Sequence, residues 1–254
     1  MRSILAISAA AFCFCAAPAA EAALVADISV INRSTGERLP TYRHAGKLYV
    51  AGKPGHRYAL ELKNRTGDRL LTVVSVDGVN VVSGETAAAS QRGYVLSPLG
   101  STEIAGWRKS SQDVAAFYFT ALPDSYAGRT NRPANVGVIG IAAFREYREP
   151  VNSSHENALG EARTDSAPAA PAASKAEAKR GAAADERLGT GHGERLYAPA
   201  QQVEFRKASE RPDEIISVYY DSFDNLRAQG IIPTARHRPI PNPFPSDRFV
   251  PDPS

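Results

Sequence analysis

The chain has 254 residues, of which 43% are hydrophobic, and its 30 basic and 27 acidic side chains leave a formal net charge of +3. A charge this small, spread over a chain of this length, gives no electrostatic footprint for nucleic acid, and we expect no nucleic-acid partner. The length is sufficient for one well-packed core or for two small ones.

The first 22 residues have the features of a secretory signal peptide. Arg2 gives a short positive segment, residues 4–17 are apolar, and the small residues that end at Ala22 fit the site that signal peptidase cleaves. The apolar run is shorter than the roughly 20 residues that a membrane-spanning helix needs, and no later segment is long and apolar enough to cross a membrane. We therefore expect cleavage near Ala22 and a periplasmic or secreted mature protein without a transmembrane segment.

Both cysteines, Cys13 and Cys15, lie in this segment, so the expected mature chain is free of cysteine. That composition excludes disulfides, a cysteine nucleophile, thiolate-bound zinc and iron–sulfur clusters from the mature protein. The five histidines are scattered, and no two have the i, i+2 or i+4 spacing of a metal site. We expect neither a cofactor nor a metal ion.

Residues 23–149 consist of short runs rich in valine, isoleucine, tyrosine and phenylalanine, separated by turn residues. Helical periodicity does not extend beyond two turns. About nine or more short strands without intervening helices predict an all-β fold, either a β-sandwich or a partly closed barrel. The predicted strands are ADISVIN, TYRH, KLYVAG, RYALELKN, RLLTVVSV, VNVVSG, GYVLSP, STEIAGWR, DVAAFYFT and NVGVIGIAAFRE.

Alternation in two of these runs identifies side chains that share a face: Tyr58, Leu60 and Leu62 in the first, and Ala115, Phe117 and Phe119 in the second. In NVGVIGIAAFRE, Gly137 and Gly140 leave gaps in the pleat. Strand glycines often mark a place where a large side chain packs closely, and we expect Trp107 to fill these gaps.

The rest of the chain changes character twice. Residues 150–187 have too few large apolar side chains to offset the entropy of ordering, so we predict a disordered tether. In residues 188–233, QQVEFRKAS and EIISVYYDS predict two strands, and FDNLRAQG predicts a short helix that Asp221 or Ser222 can cap. These elements are too few for a core of their own, so we expect them to dock on an edge of the first sheet. The Pro-rich residues 234–254 predict a disordered tail.

The stretch TVVSVDGVNVVSGE contains two acidic residues, Asp77 and Glu85. Asp-Gly between β-rich runs predicts a type I′ hairpin turn, because that turn needs positive φ at both central residues. In such a hairpin Leu70 lies opposite Glu85, and the two carboxylates are roughly 20 Å apart at about 3.3 Å per residue. We therefore interpret Asp77 as a turn residue with a dispensable carboxylate, and not as half of a catalytic pair.

A second motif, GTGHGER, places His192 between glycines. It lacks the preceding strand and following helix of a dinucleotide-binding loop. We interpret it as a flexible segment that re-enters from the tether. A Ser-His-Asp triad stays open as an alternative, since triad members are separated in sequence, although no GxSxG elbow is present.

Two predicted loops, GWRKSS and SYAGRTNRP, carry the residue types that dominate binding hot spots. The alternative is that the tryptophan and tyrosine belong to the core and that the arginines keep the rim soluble. The candidate binding residues are Trp107, Arg108, Tyr126, Arg129, Arg132 and His192.

The chain resembles a family of uncharacterised exported (periplasmic) proteins of Gram-negative bacteria. The resemblance rests on an ordered set of motifs: YRHAGKLYVAG, SVDGVNVVSGE, RGYVLSP, IAGWRKS, VAAFYFT, SYAGRT, NVGVIGIAAFRE, LGTGHGER and YYDSFDNLRAQG. It covers most of the expected mature chain apart from the tether and the tail. It implies a periplasmic or envelope setting and places GTGHGER in the ordered part, and it carries no activity that transfers.

These observations predict a non-catalytic envelope protein, a binding or interaction module whose partner is another envelope protein or a cell-envelope component. The alternative is a periplasmic hydrolase that acts on an envelope substrate with His192 as its base. A third possibility is a small-molecule or metal-binding accessory protein. A hydrolase needs a deep cleft where His192 meets a serine or an aspartate, whereas an interaction module needs an exposed aromatic and basic patch.

Overall fold

A computed structural model describes residues 24–149 and 187–233. The predicted signal peptide, the tether apart from Arg187, and the Pro-rich tail lie outside the described residues. The described chain consists mainly of β-strands arranged in two sheets, which confirms the all-β class.

The strands are short and follow one another closely along the chain. The described ranges contain thirteen of them: β1 (Ala26–Asn32), β2 (Thr41–His44), β3 (Lys47–Gly52), β4 (Arg57–Asn64), β5 (Leu70–Val76), β6 (Val79–Asn80), β7 (Tyr94–Leu96), β8 (Ser101–Ile104), β9 (Gly106–Arg108), β10 (Asp113–Ala121), β11 (Val138–Arg145), β12 (Leu188–Tyr197) and β13 (Glu214–Ser222).

Sheet A has the order β1-β4-β10-β12, with β8 paired to β4 and β9 paired to β10. Sheet B has the order β2-β3-β13-β11-β5-β6, with β7 paired to β5. The pairing of β3 with β13 is parallel. The last two strands therefore enter different sheets: β12 forms an edge of sheet A, whereas β13 lies inside sheet B between β3 and β11.

The main core contains side chains from both sheets. The two faces predicted from alternation are both buried, with each side chain at most 1% exposed: Tyr58, Leu60 and Leu62 of β4, and Ala115, Phe117 and Phe119 of β10. Full burial of one such leucine or phenylalanine contributes about 1.5–3 kcal/mol. From sheet B, Val74, Val76, Ile139 and Ile141 complete this layer.

Asp77 and Gly78 form the predicted turn, with φ of 54° and 73° and with Val76 opposite Val79. The second strand of this hairpin, however, ends after two residues, and Leu70 pairs with Leu96 of β7 instead of Glu85. The cause is local. The side-chain oxygen of Asn80 accepts the backbone N–H groups of Val82 at 2.7 Å and of Ser83 at 3.2 Å. These side-chain bonds replace strand pairing, so the strand ends here.

The segment from 188 to 210 differs from the prediction. QQVEFRKAS contributes only an isolated bridge at Lys207, whereas the predicted flexible segment GTGHGER lies within β12. A Cβ on Gly191 would lie 2.1 Å from the Tyr118 ring, and one on Gly189 would lie 2.6 Å from Ser125 Cβ. Gly191 therefore lets the Tyr118 ring pack directly on the strand backbone, and Gly189 does the same for Ser125.

The sequence predicted that Trp107 fills the gaps at Gly137 and Gly140, and this prediction is wrong. It packs in sheet A against Phe117, while a Cβ on Gly140 would meet Ser75 Oγ at 2.8 Å. The small residue at 140 therefore accommodates a neighbouring strand of sheet B.

Two short α-helices and two 3-10 helices, Leu122–Asp124 and Pro133–Asn135, complete the described fold. Helix α1 (Tyr126–Arg129) replaces the loop predicted for SYAGRTNRP, and Ser125 caps it by accepting the N–H of Gly128 at 3.0 Å. Helix α2 (Phe223–Ala228) is capped by Ser222, one of the two residues predicted for that role. In the described ranges no helix has both the length and the apolar character needed to span a membrane.

Candidate functional site

Trp107 is the first candidate whose position corrects the sequence interpretation. It lies on β9, is only 3% exposed, and meets Phe117 edge-on with ring centroids 4.8 Å apart. It is therefore a core residue, as the alternative interpretation of GWRKSS predicted, and not an exposed loop residue. Its indole N–H is the one buried side-chain N or O atom without a hydrogen-bond partner among the described residues.

Tyr126 and His192 cover this tryptophan from two other elements. The Trp107 ring centroid lies 4.9 Å from that of Tyr126 and 6.1 Å from that of His192, and the Tyr126 and His192 centroids are 5.5 Å apart. The rings of Trp107 and His192 are within 11° of parallel. These three residues form a cluster, which we call the ring cluster.

Strand pairing explains why the ring cluster forms. On β10, Phe117 lies opposite His192 of β12, and Ala115 lies opposite Trp107 of β9. Tyr126 starts helix α1, which packs on β12 where Gly189 leaves room. Residues 85 positions apart in sequence are thus brought together by three elements around β10.

The basic candidates divide between two places. The Arg132 guanidinium lies 5.8 Å from the Tyr126 ring centroid and donates to the Gly84 carbonyl at 3.1 Å. Arg129 is exposed on α1 beside His192. Arg108 points away from the ring cluster, because successive strand residues face opposite sides, and it donates to the hydroxyl of Tyr94 at 3.1 Å. Arg108 is therefore a structural tie and not part of this site.

An open cleft of about 310 Å³ lies beside the ring cluster. Its lining residues are Asp124, Tyr126, Arg129, Thr130 and His192. Five of the six candidates predicted from the sequence thus belong to one location: Tyr126, Arg129 and His192 line the cleft, and Trp107 and Arg132 pack against Tyr126. We call this location the aromatic–basic cleft.

The electrostatics of the cleft are set by its cations. Partial burial, followed by the nearby charges of Lys109 and Arg129, lowers the pKa of His192 below its usual value of 6.5. The imidazole is therefore neutral at neutral pH. In the described part of the chain, its side chain makes no hydrogen bond to a serine, threonine or carboxylate side chain.

The structure contains a buried polar network around Asp77 and Thr190 that the sequence does not predict. Asp77 is 1% exposed, and its carboxylate accepts the backbone N–H of Thr190 at 2.8 Å, the N–H of Gly137 at 3.0 Å and the hydroxyl of Tyr220 at 2.5 Å. The hydroxyl of Thr190 lies 2.6 Å from those of both Tyr220 and Tyr58. The turn interpretation of Asp77 is correct, but it gave the carboxylate no role, whereas both carboxylate oxygens accept hydrogen bonds.

The network has one consistent direction, because each hydroxyl carries a single proton. Since Tyr220 donates to Asp77, Thr190 donates to Tyr220, and Tyr58 donates to Thr190. Burial raises the pKa of Asp77 to about 6, although the hydrogen bonds from Tyr220, Gly137 and Thr190 oppose that rise. Burial and the charge of Asp77 raise the pKa of Tyr58 and of Tyr220 well above 10.0.

This network fixes the strand that carries His192. Thr190 and His192 are two residues apart on β12, and Asp221 accepts the N–H of Leu188 on the same strand at 3.3 Å. Carboxylates from sheet B thus accept alternate N–H groups of this strand of sheet A. An Asp-Gly pair signals a turn, but nothing local indicates that the carboxylate is buried against residues 60 to 143 positions away.

Within residues 24–149 and 187–233, no group of three or more histidine, cysteine or acidic side chains is placed to hold a metal ion. Comparison with known proteins gives no match to a family model, to a curated protein or to a solved structure. The fold and the site define an all-β protein of two sheets, with an aromatic–basic cleft at an edge strand.

Proposed function

We propose that this protein is an exported, non-catalytic binding module of the cell envelope and that the aromatic–basic cleft holds its ligand. The observation that carries the proposal is the meeting of Tyr126, Arg129 and His192 around one open cleft, with Trp107 packed behind them. Tyrosine, tryptophan and arginine dominate binding hot spots, and a rigid backing reduces the entropy lost on binding.

The geometry favours binding over hydrolysis. A hydrolase with His192 as its base needs a hydroxyl or carboxyl group within hydrogen-bond reach of the imidazole. The hydroxyl groups of this region serve the backbone: Thr130 donates to the Tyr126 carbonyl at 2.8 Å, and Ser125 donates to the Leu122 carbonyl at 2.7 Å. The Asp124 carboxylate of the lining makes no hydrogen bond to His192. His192 itself is exposed and stacked on two rings.

The envelope setting is supported by the sequence. Residues 1–22 have the pattern of a signal peptide, both cysteines lie within it, and the motifs resemble an exported family of Gram-negative bacteria.

A fragment screen tests the proposal. Wild-type protein is screened by thermal shift, and each stabilising compound is retested on Arg129→Ala and on Arg211→Ala. Both arginines are exposed, and Arg211 lies outside the cleft, so Arg211→Ala is a matched control for the lost charge. We expect the stabilisation to fall in Arg129→Ala and to persist in Arg211→Ala.

Two outcomes contradict the proposal. Compounds that stabilise all three proteins equally bind elsewhere, which removes the cleft as the ligand site. Turnover of chromogenic esters, phosphoesters or glycosides that His192→Ala abolishes would instead establish the hydrolase.

A further inference from the structure

We infer that the aromatic–basic cleft takes an anionic ligand, one that places a carboxylate or a phosphate against Arg129 and His192. This inference rests on the proposed function and names the chemical class of the ligand.

Charge at the cleft is the first observation. Arg129 and His192 line the cleft, and Lys109 and Arg129 both act electrostatically on the imidazole. Arg132 adds a third permanent cation at the Tyr126 ring. Against these, the lining contains a single carboxylate, that of Asp124. The lining itself therefore holds one permanent cation and one carboxylate, and the further positive charge comes from Lys109 and Arg132, which lie outside the lining.

The availability of these cations is the second observation. Seven arginines in the described ranges form ion pairs with carboxylates. Arg129 and Lys109, which are both exposed, form none with the described residues. A guanidinium has the donor geometry for a carboxylate or a phosphate, and an ammonium adds a point charge, so an incoming anion meets donors that no protein carboxylate occupies.

Position is the third observation. Arg129 is held on α1 by the Ser125 cap, and α1 packs on β12, which carries His192. Arg132 is fixed by its hydrogen bonds to the Gly84 carbonyl and to the Thr130 hydroxyl, at 3.1 and 3.2 Å. Arg129 therefore stands on a capped helix and Arg132 is fixed by hydrogen bonds, so less conformational entropy is lost when these two side chains meet an anion.

The chain provides its own reporter for a test, because Trp107 is its single tryptophan, packs against Tyr126 at a tilt and stacks on His192. Tryptophan fluorescence of the full chain is titrated with glucose 6-phosphate, with glucuronate and with glucose, which have the same ring and differ in charge. We expect at least one acid to bind ten or more times more tightly than glucose. Arg129→Gln is expected to weaken that acid about tenfold, equivalent to about 1.4 kcal/mol, while Arg211→Gln leaves it unchanged.

The arms separate the two anion sources and the two proposals. A preference for glucose 6-phosphate assigns a phosphate ligand, and a preference for glucuronate assigns a carboxylate. Equal affinity of all three sugars, or an acid affinity that Arg129→Gln does not change, overturns the anion inference. If neutral compounds of the fragment screen lose their stabilising effect in Arg129→Ala, the proposal of a binding module holds although the anion inference fails. If no sugar binds and no fragment depends on Arg129, both proposals fail. Unchanged melting temperatures of the variants confirm that each is folded.

Discussion

The backbone N–H of Thr190 donates to the carboxylate of Asp77 over 2.8 Å, although the two residues are 113 positions apart in sequence. Asp221 accepts the N–H of Leu188 on the same strand. A β-strand at the edge of a sheet presents unpaired N–H groups, and here two carboxylates of sheet B occupy two of them. These contacts hold β12 against sheet B and fix the strand that presents His192 to the cleft.

The first prediction concerns Asp77→Asn and its dependence on pH. A protonated Asp77 can donate to Tyr220, whose proton then turns towards Thr190, while both carboxyl oxygens still accept their backbone N–H groups. Asparagine cannot do this, because its amide nitrogen accepts no hydrogen bond and leaves the N–H of Thr190 or of Gly137 without an acceptor. At about pH 4.5 we expect Asp77→Asn to lose about 1–3 kcal/mol of unfolding free energy, measured in urea.

The difference between the two proteins should shrink as pH rises. Folding raises the pKa of Asp77 from 3.8 to about 6, so protonation favours the folded state. The stabilisation is complete below the unfolded pKa and is lost as pH rises through 6. Between about pH 4.5 and pH 7.5 this amounts to about 2 kcal/mol in wild type, and it is absent from Asp77→Asn. A constant difference between the two proteins over this range would show that Asp77 does not titrate as described.

The second prediction concerns the hydroxyl of Thr190. Thr190→Val keeps the shape of the side chain but removes the group that joins Tyr58 to Tyr220, both of which are buried. We expect a loss of about 1–3 kcal/mol. Thr190→Ser keeps the hydroxyl and gives up one methyl group, which costs about 0.8 kcal/mol. A urea midpoint of Thr190→Val equal to that of wild type would mean that the hydroxyl network contributes nothing.

The third prediction tests why GTGHGER is rich in glycine. In Gly191→Ala the new methyl group meets the Tyr118 ring, and we expect a loss of about 1–3 kcal/mol from the displaced ring. In a Tyr118→Ala background the same substitution should cost less than about 0.5 kcal/mol, since the two residues are coupled by contact. The four proteins form a double-mutant cycle, and a coupling energy of zero would refute the close packing.

The fourth prediction concerns the two halves of the chain. A protease site introduced between residues 150 and 186 is cut after folding. We expect the fragments to co-elute on native size exclusion, because β12 pairs along β10 and β13 lies between β3 and β11. Fragments that separate without denaturant would contradict the inserted position of β13.

The sequence predicts what local rules determine. Alternation identified the buried faces of β4 and β10, and Asp-Gly identified the turn at residue 77 with its positive φ. Alternation does not identify β12, because its glycines contribute no side chains to an alternating pattern. The sequence therefore predicts a loop where the structure has a strand. The strand predicted after Gly78 is also too long, because the Asn80 side chain accepts the backbone N–H of Val82 and ends the pairing of β5 with β6.

The site shows the same division. Residue type alone singled out Tyr126, Arg129 and His192, which the structure brings to one cleft. Their proximity follows from the pairing of β9 and β12 on either side of β10, which no local pattern encodes. Burial of Asp77 is likewise tertiary, since its acceptor oxygens are matched by donors from three distant segments.

The most direct test of the aromatic–basic cleft is a map of amide and indole chemical shifts during titration with the tightest-binding compound. If the ligand binds in the aromatic–basic cleft, the largest changes fall on residues 126–130, on His192 and on the indole N–H of Trp107. The structure offers a competing location, the cavity of about 260 Å³ lined by Gly137, Arg187, Asp221 and Gln229, among others. Changes centred on that cavity, with the Trp107 indole unperturbed, would show that the aromatic–basic cleft is not the ligand site.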